Sequence, residues 1–442
     1  MLSDAIRRWN PWWADGKVME DIKGVKREEL DNVLAFMKEN LIKGIIGPRR
    51  AGKTTLLYQI IDTLLMEGVS PQDIILLNFD DSNIYSADFD VLISECRKIN
   101  PKIKYLFLDE VQQRENWERW VRTLYDTHQF SQIFVTGSSS YLLREDIGRV
   151  LTGRHITFHL LPFSFREYLR YLGWKNFSKD YIEYRKDELL HYLHKYMKNG
   201  GYPESLSMND MARNRYLNEL FDDIIARDIS ARYRADYHIG RRIAYYVMSN
   251  ASKIMTHRSI ARATGVAVDT VSKYLKYMEE AYLIFPLRMF SFKLKEQMRE
   301  INKYYVVDTG LAAAVSFRFS EDIGRMVESL VYVELLRRNA RTPGMEIFYW
   351  KDRNGREVDF VVKERTQVRE LIQVCWDVSD EKTKKREIYA LLRGMDAFKL
   401  SEGIILTENC EGAERMEGKR IRFIPVWKWL LNIENCKEEY IL

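Results

Sequence analysis

The chain has 442 residues, 46% of them hydrophobic and 30% charged, with a formal net charge of +5. That length predicts two to four domains with full cores. No apolar run reaches the roughly 18 residues of a membrane-spanning helix, and the opening Met1-Leu2-Ser3-Asp4-Ala5-Ile6-Arg7-Arg8 lacks the apolar centre of a signal peptide, so a cytoplasmic protein is expected.

Four cysteines (Cys96, Cys375, Cys410, Cys436) lie scattered without metal-ligand spacing, consistent with a reducing compartment. Trp9, Trp12 and Trp13 open the chain. They could pack on a purine, but covering a core edge is the expected role.

Residues 42–46 read as a buried strand. They run into Gly47-Pro48-Arg49-Arg50-Ala51-Gly52-Lys53-Thr54-Thr55, and an apolar helix follows (Leu56, Leu57, Ile60, Ile61, Leu64, Leu65). Strand, Gly-x4-Gly-Lys-Thr loop and helix together predict an ATP site. The glycines let backbone N–H groups face phosphate, and the helix N-terminus adds partial positive charge. Lys53 reaches the β- and γ-phosphates, and Thr54 is a Mg²⁺ ligand.

Residues 74–79 read as a second buried strand. Tyr105-Leu106-Phe107-Leu108-Asp109-Glu110 then places two carboxylates at a strand end. Asp109 is the expected partner of Mg²⁺, and Glu110 the base that takes a proton from water. Residues 133–140 form the next strand, with Thr136 or Ser138 as a γ-phosphate sensor. Arg154, ahead of a strand at 155–160, is the first candidate for a finger entering a neighbour's site. Arg149 is the second.

The segments 47–55, 108–112, 136–140, 151–154 and 161–167 resemble a prokaryotic AAA+ family common in archaea. Its members join an AAA+ core to a winged helix and a C-terminal nuclease-like domain. The resemblance spans essentially the whole chain. It implies an α/β fold: a P-loop AAA+ core with a parallel sheet, a helical lid, a winged helix-turn-helix, and a C-terminal α/β restriction-endonuclease-like domain. The expected boundaries are 1–160, 161–240, 241–312 and 313–442.

In the lid segment, Gly200-Gly201-Tyr202-Pro203-Glu204 resembles a signature of the same family. From Arg241 to Lys303 there are twelve Lys/Arg against five Asp/Glu, a balance of +7. A basic block in a near-neutral protein is the footprint expected for nucleic acid. Helices are expected at 258–264 and from Asp269, which is read as an N-cap, with Val271, Leu275, Met278 and Tyr282 facing inward. Arg258, Lys273, Lys276, Lys293 and Lys295 are the expected phosphate contacts, and the strands at 285–294 and 303–308 the expected wing.

In the last segment Glu328 and Asp359 match a helix Glu and a strand Asp of the nuclease-like fold, and Gln373 stands where a third ligand is expected. Two residues later, Cys375 replaces the usual lysine, which Lys382, Lys384 or Lys385 could supply. The expectation is a domain that no longer cuts.

These readings converge on a DNA-binding, Mg²⁺-dependent ATPase that moves or remodels duplex or branched DNA as a homo-oligomer, a ring of six. Two rivals are a nucleotide-dependent switch that binds DNA or protein without translocation, and an ATP-controlled nuclease.

Overall fold

Five short apolar runs build the first sheet. They are β1 (Ile42–Ile46), β2 (Ile74–Asn78), β3 (Tyr105–Asp109), β4 (Gln132–Gly137) and β5 (His155–His159). The order is β2-β3-β4-β1-β5, with every pair parallel. β1 and β2 are buried along their whole length, which explains their unbroken hydrophobic character. The one charge in β1, Lys43, donates to Glu39 O and Gln132 Oε1, and burial pushes its pKa down to about 8.

The computed structural model describes residues 2–137, 151–293, 301–316 and 322–433. They form two compact units: Met1–Pro162 with Glu280–Tyr282, and Phe163–Glu279 with Leu283–Leu442. No described helix is long and apolar enough to cross a membrane.

In the first unit the helix Lys53–Met66 lays Leu56, Leu57, Ile60, Ile61 and Leu64 on the sheet against Ile45, Ile74, Phe107, Phe134 and Phe158. That spacing is the apolar stripe of an amphipathic helix. Trp12 is fully buried in the same cluster. The indoles of Trp12 and Trp13 donate to Ile74 O at 3.4 and 2.9 Å, and that of Trp9 donates to Asp81 Oδ2 at 3.1 Å. The tryptophans thus close a core edge.

The second unit begins with helices Phe165–Tyr171, Lys179–Tyr184, Lys186–Asn199 and Asp210–Asp223, the last running into a π-helical turn at Ile224–Ala231. The Gly200-Gly201 pair sits at a crossing of chains. Gly201 N–H donates to Asp308 Oδ2 at 2.6 Å, and Gly201 O accepts from Phe163 N at 2.8 Å. A Cβ on Gly201 would lie 2.4 Å from Phe163 O, so only glycine fits.

Helix Tyr237–Ser249 is followed by β6 (Ile254–Thr256), helices His257–Thr264 and Val268–Glu280, and then β7 (Ile284–Arg288) and β8 (Ile301–Val306). The three strands form an antiparallel sheet in the order β6-β8-β7. Helix Val268–Glu280 buries Val271, Tyr274, Leu275 and Met278. It starts one residue earlier than expected. Asp269 therefore lies in its first turn, where its charge favours the helix dipole instead of capping it.

The C-terminal sheet comprises β9 (Met345–Lys351), β10 (Glu357–Glu364), β11 (Gln367–Val374), β12 (Glu402–Thr407), β13 (Gly412–Met416) and β14 (Lys419–Pro425). It is mixed. β9, β10 and β11 pair antiparallel, β11, β12 and β14 parallel, and β13 antiparallel to β14. Helix Glu381–Phe398 covers it with Ile388, Leu391, Leu392 and Met395. Helix Ile323–Arg341 precedes it.

Candidate functional site

The loop between β1 and helix Lys53–Met66 stands at the carboxyl end of the parallel sheet, where open α/β sheets bind ligands. Arg50 and Gly52 take left-handed backbone conformations (φ 64° and 92°). A Cβ on Gly47 would lie 1.9 Å from Leu160 O, so the loop passes too close to the chain after β5 for any other residue. Arg27, buried beneath the loop, donates to Ala51 O and Leu161 O. Gln59 of the helix holds Arg27 in turn, accepting from its backbone N at 3.0 Å. Neither residue carries a motif signal, because each braces the loop from far along the chain.

Sheet register brings the polar strand ends together. Asn78 pairs with Asp109, and Ile45 with Thr136. Asp109 Oδ2 accepts from Thr54 Oγ1 at 2.7 Å and Asn78 Nδ2 at 2.9 Å, and its Oδ1 accepts from Thr136 Oγ1 at 2.5 Å. Thr136 Oγ1 also accepts from Glu110 N–H at 2.9 Å, so one hydroxyl orients both acids. Lys53 Nζ lies 3.3 and 3.2 Å from Gly47 O and Pro48 O, and 3.6 Å from Glu110 Oε1. Gln112 Nε2 donates to the other oxygen of Glu110. Asp80 joins the group, taking a bond from Gln113 Nε2 at 3.1 Å.

Three carboxylates therefore converge near one lysine. Burial, and then the charge of Glu110, pushes Asp109 up to about 6, against the bonds from Thr136 and Thr54. Burial and Glu110 also raise Asp80. Lys53 and Arg49 oppose the rise at Asp80, and the oxygen donors of the cluster suit a hard divalent cation.

Comparison with known proteins places these features in a family. Residues 39–169 match an AAA domain, residues 190–322 the domain of unknown function DUF8612, and residues 323–429 the domain of unknown function DUF4143. The uncharacterized protein MJ1544 of Methanocaldococcus jannaschii is 36% identical over 408 residues, covering 89% of this chain and 88% of its own. This chain belongs to that AAA-domain family. An uncharacterized protein of Haemophilus influenzae is 27% identical over 92% of this AAA protein and 98% of its own length. AMPPCP-bound DnaA from Aquifex aeolicus overlaps 57% of this chain and 86% of its own at 19% identity and a TM-score of 0.27, too loosely to inform function.

The remaining expected residues of the AAA protein fall into separate groups. Arg154 sits ahead of β5, its carbonyl accepting from Ile42 N at 2.8 Å. That is the amino end of β1, about four residues or roughly 13 Å from the phosphate loop. Its guanidinium is held by Asp126 at 2.7 Å. Arg149 and Ser138 lie outside the described residues, as does Lys295. Arg258 is exposed on helix His257–Thr264, Lys273 and Lys276 on helix Val268–Glu280, and Lys293 beyond β7. Tyr277 stacks on Tyr233 with ring centroids 3.8 Å apart.

Glu328, Asp359 and Gln373 do come together. Asp359 N–H donates to Gln373 Oε1 at 3.1 Å, and Gln373 Nε2 to Glu387 Oε2 at 2.7 Å. The cation among them is not one of the expected lysines. Lys384 pairs with Glu414 and Lys385 with Glu381, while Cys375 Sγ faces Asp377 O at 3.4 Å. Instead Lys303 of β8, only 2% exposed, enters the group. Its Nζ lies 2.7 Å from Glu328 Oε1, 2.6 Å from Glu357 Oε1 and 3.0 Å from Asp359 Oδ1. Lys303 is thus withdrawn from the basic surface to which its sequence position assigned it. Burial alone would lower its pKa, but Glu328, Tyr305, Asp359 and Glu357 hold it well above the lysine range. Burial lifts Glu328 to about 7 although Lys303 opposes the shift.

Proposed function

We propose that this AAA protein is a Mg²⁺-dependent ATPase that binds DNA and uses hydrolysis to move or remodel it. The observation that carries the ATPase reading is the Thr54–Asp109–Thr136–Glu110 network beside Lys53. Loop amides and Lys53 hold the β- and γ-phosphates. Thr54 and Asp109, already 2.7 Å apart, supply two oxygens for Mg²⁺. Mg²⁺ when bound neutralises phosphate charge. Glu110, fixed through its own backbone and through Gln112, takes the proton of a water attacking in line with the β–γ bridge.

The DNA reading rests on helices His257–Thr264 and Val268–Glu280, which present Arg258, Lys273 and Lys276 beside a three-stranded antiparallel sheet, the element order of a winged helix-turn-helix. The second helix would enter a groove while the lysines contact phosphate. ATPase rate measured on single-stranded, duplex, forked and four-way DNA at one salt concentration tests this reading. Stimulation by at least one form is expected. DNA-insensitive turnover would leave a switch and remove the motor.

Arg154 lies at the wrong end of the sheet to reach its own subunit's phosphates, which supports a role in trans within an oligomer. Neither Arg154→Ala nor Lys53→Ala homo-oligomers should turn over ATP. Mixing the two should restore hydrolysis at sites that combine an intact loop with an intact finger. A titration of one variant into the other reads this directly, and no recovery at any ratio would overturn the finger. The mixed sheet, with Glu328 and Asp359 facing each other, supports a nuclease-like C-terminal fold that does not cut.

A further inference from the structure

Resting on that last reading and independent of the ATP site, we propose that Lys303 is a tethered counter-cation. Its ammonium stands among Glu328, Glu357 and Asp359, where a nuclease-like fold would gather a divalent ion. It turns the cluster into a fixed joint between the β6–β8 sheet and the C-terminal domain.

A lysine ammonium has three N–H donors and no acceptor. Three carboxylates from three side chains lie at 2.6, 2.7 and 3.0 Å from Nζ: Glu328 and Asp359 accept hydrogen bonds, and Glu357 adds an ion pair. The carboxylates are engaged as well. Asp359 Oδ2 accepts from Val374 N at 3.0 Å, and Glu328 Oε1 also accepts from Tyr305 OH at 2.6 Å.

The surroundings match a joint. A cavity of about 640 Å³ opens on Glu328, Glu357 and Asp359, and two of the arginines lining it are already paired: Arg325 with Asp322 at 2.6 Å, and Arg386 with Glu387 at 2.6 Å. Lys303 comes from the middle of β8, Glu328 from helix Ile323–Arg341, and the other two acids from β10. The same seam carries Ser252 Oγ to Ser329 Oγ at 3.2 Å, Arg325 Nη1 to Ser249 O at 3.0 Å, and Phe290 N to Tyr349 O at 2.7 Å. These contacts tie the β6–β8 sheet to the C-terminal domain.

Thermal unfolding of full-length Lys303→Met in EDTA is the primary test. The melting temperature should fall by roughly 3–9 °C, because one buried and two half-buried carboxylates lose their cation. Mg²⁺ or Mn²⁺ should restore at least half of that loss. A shift common to wild type and variant belongs to the nucleotide site and cancels in the comparison. An unchanged melting temperature would overturn the joint, and a fall without rescue by either ion would overturn the ion-replacing role. A second measurement does not depend on Lys303→Met folding. Mn²⁺ titrations of wild type and Asp359→Asn, followed by electron paramagnetic resonance, should give equal stoichiometry. One ion fewer in Asp359→Asn, without DNA nicking, overturns the counter-cation alone. Mg²⁺-dependent nicking by wild type that Asp359→Asn abolishes also overturns the reading of a domain that does not cut.

Discussion

Lys53→Ala protein should bind ATP about 30- to 5,000-fold more weakly than wild type and show no hydrolysis above background. The range follows from the roughly 2–5 kcal/mol lost when one partner of a desolvated charge pair is removed. Lys53 is buried, and its ammonium lies against loop carbonyls and Glu110. Those contacts are long, at 3.2–3.6 Å, so the ammonium gains more from phosphate oxygens than it gives up. Its removal also leaves Asp80, Asp109 and Glu110 facing one another without that charge, which further opposes an incoming anion. Equilibrium binding of a fluorescent ATP analogue, with a phosphate-release assay, measures both effects. Wild-type turnover in Lys53→Ala would place the ATP site elsewhere.

Glu110→Gln should separate binding from chemistry. ATP binding should persist while hydrolysis falls by roughly 10²- to 10⁴-fold, the usual contribution of a positioned general base. Glutamine keeps the size of the side chain, and the backbone bond from Glu110 N to Thr136 Oγ1 is independent of the carboxyl group. The loss should therefore appear in the chemical step. Single-turnover hydrolysis of prebound ATP is the decisive measurement: a trapped complex is expected, and release at the wild-type rate would remove Glu110 as the base. Asp109 is a poorer candidate for the base, because both of its oxygens are occupied by Thr54, Asn78 and Thr136.

Much of the nucleotide site is legible along the chain because its parts are contiguous. Gly47 to Thr55 carries loop, lysine and hydroxyl in nine residues, and Asp109-Glu110 ends an apolar strand. Such stretches declare themselves through local backbone demands and burial. The braces do not. Arg27 reaches Ala51 and Leu161, and Asn78 reaches Asp109 across a strand pair, so each role exists only once the sheet order is known. The glycine pair at 200–201 was visible as a signature, but its reason is a backbone crossing with residues 163 and 308.

The C-terminal cluster divides in the same way. Glu328 and Asp359 could be picked out by their place on a helix and a strand. The lysine could not. Lys382, Lys384 and Lys385 lie close behind Gln373 in sequence, whereas the cation arrives from β8, ahead of both acids. Sequence alone determined the glycine-rich loop between strand and helix, the two acids at the end of β3 and the α/β character of the core, because local conformation and hydrophobic period encode those. Only the tertiary structure decided which cation neutralises Glu328 and Asp359, and that Arg154 lies at the other end of β1 from the loop at 47–55. Sheet order and strand register set those distances, and a charged side chain's partner is whatever the fold buries beside it.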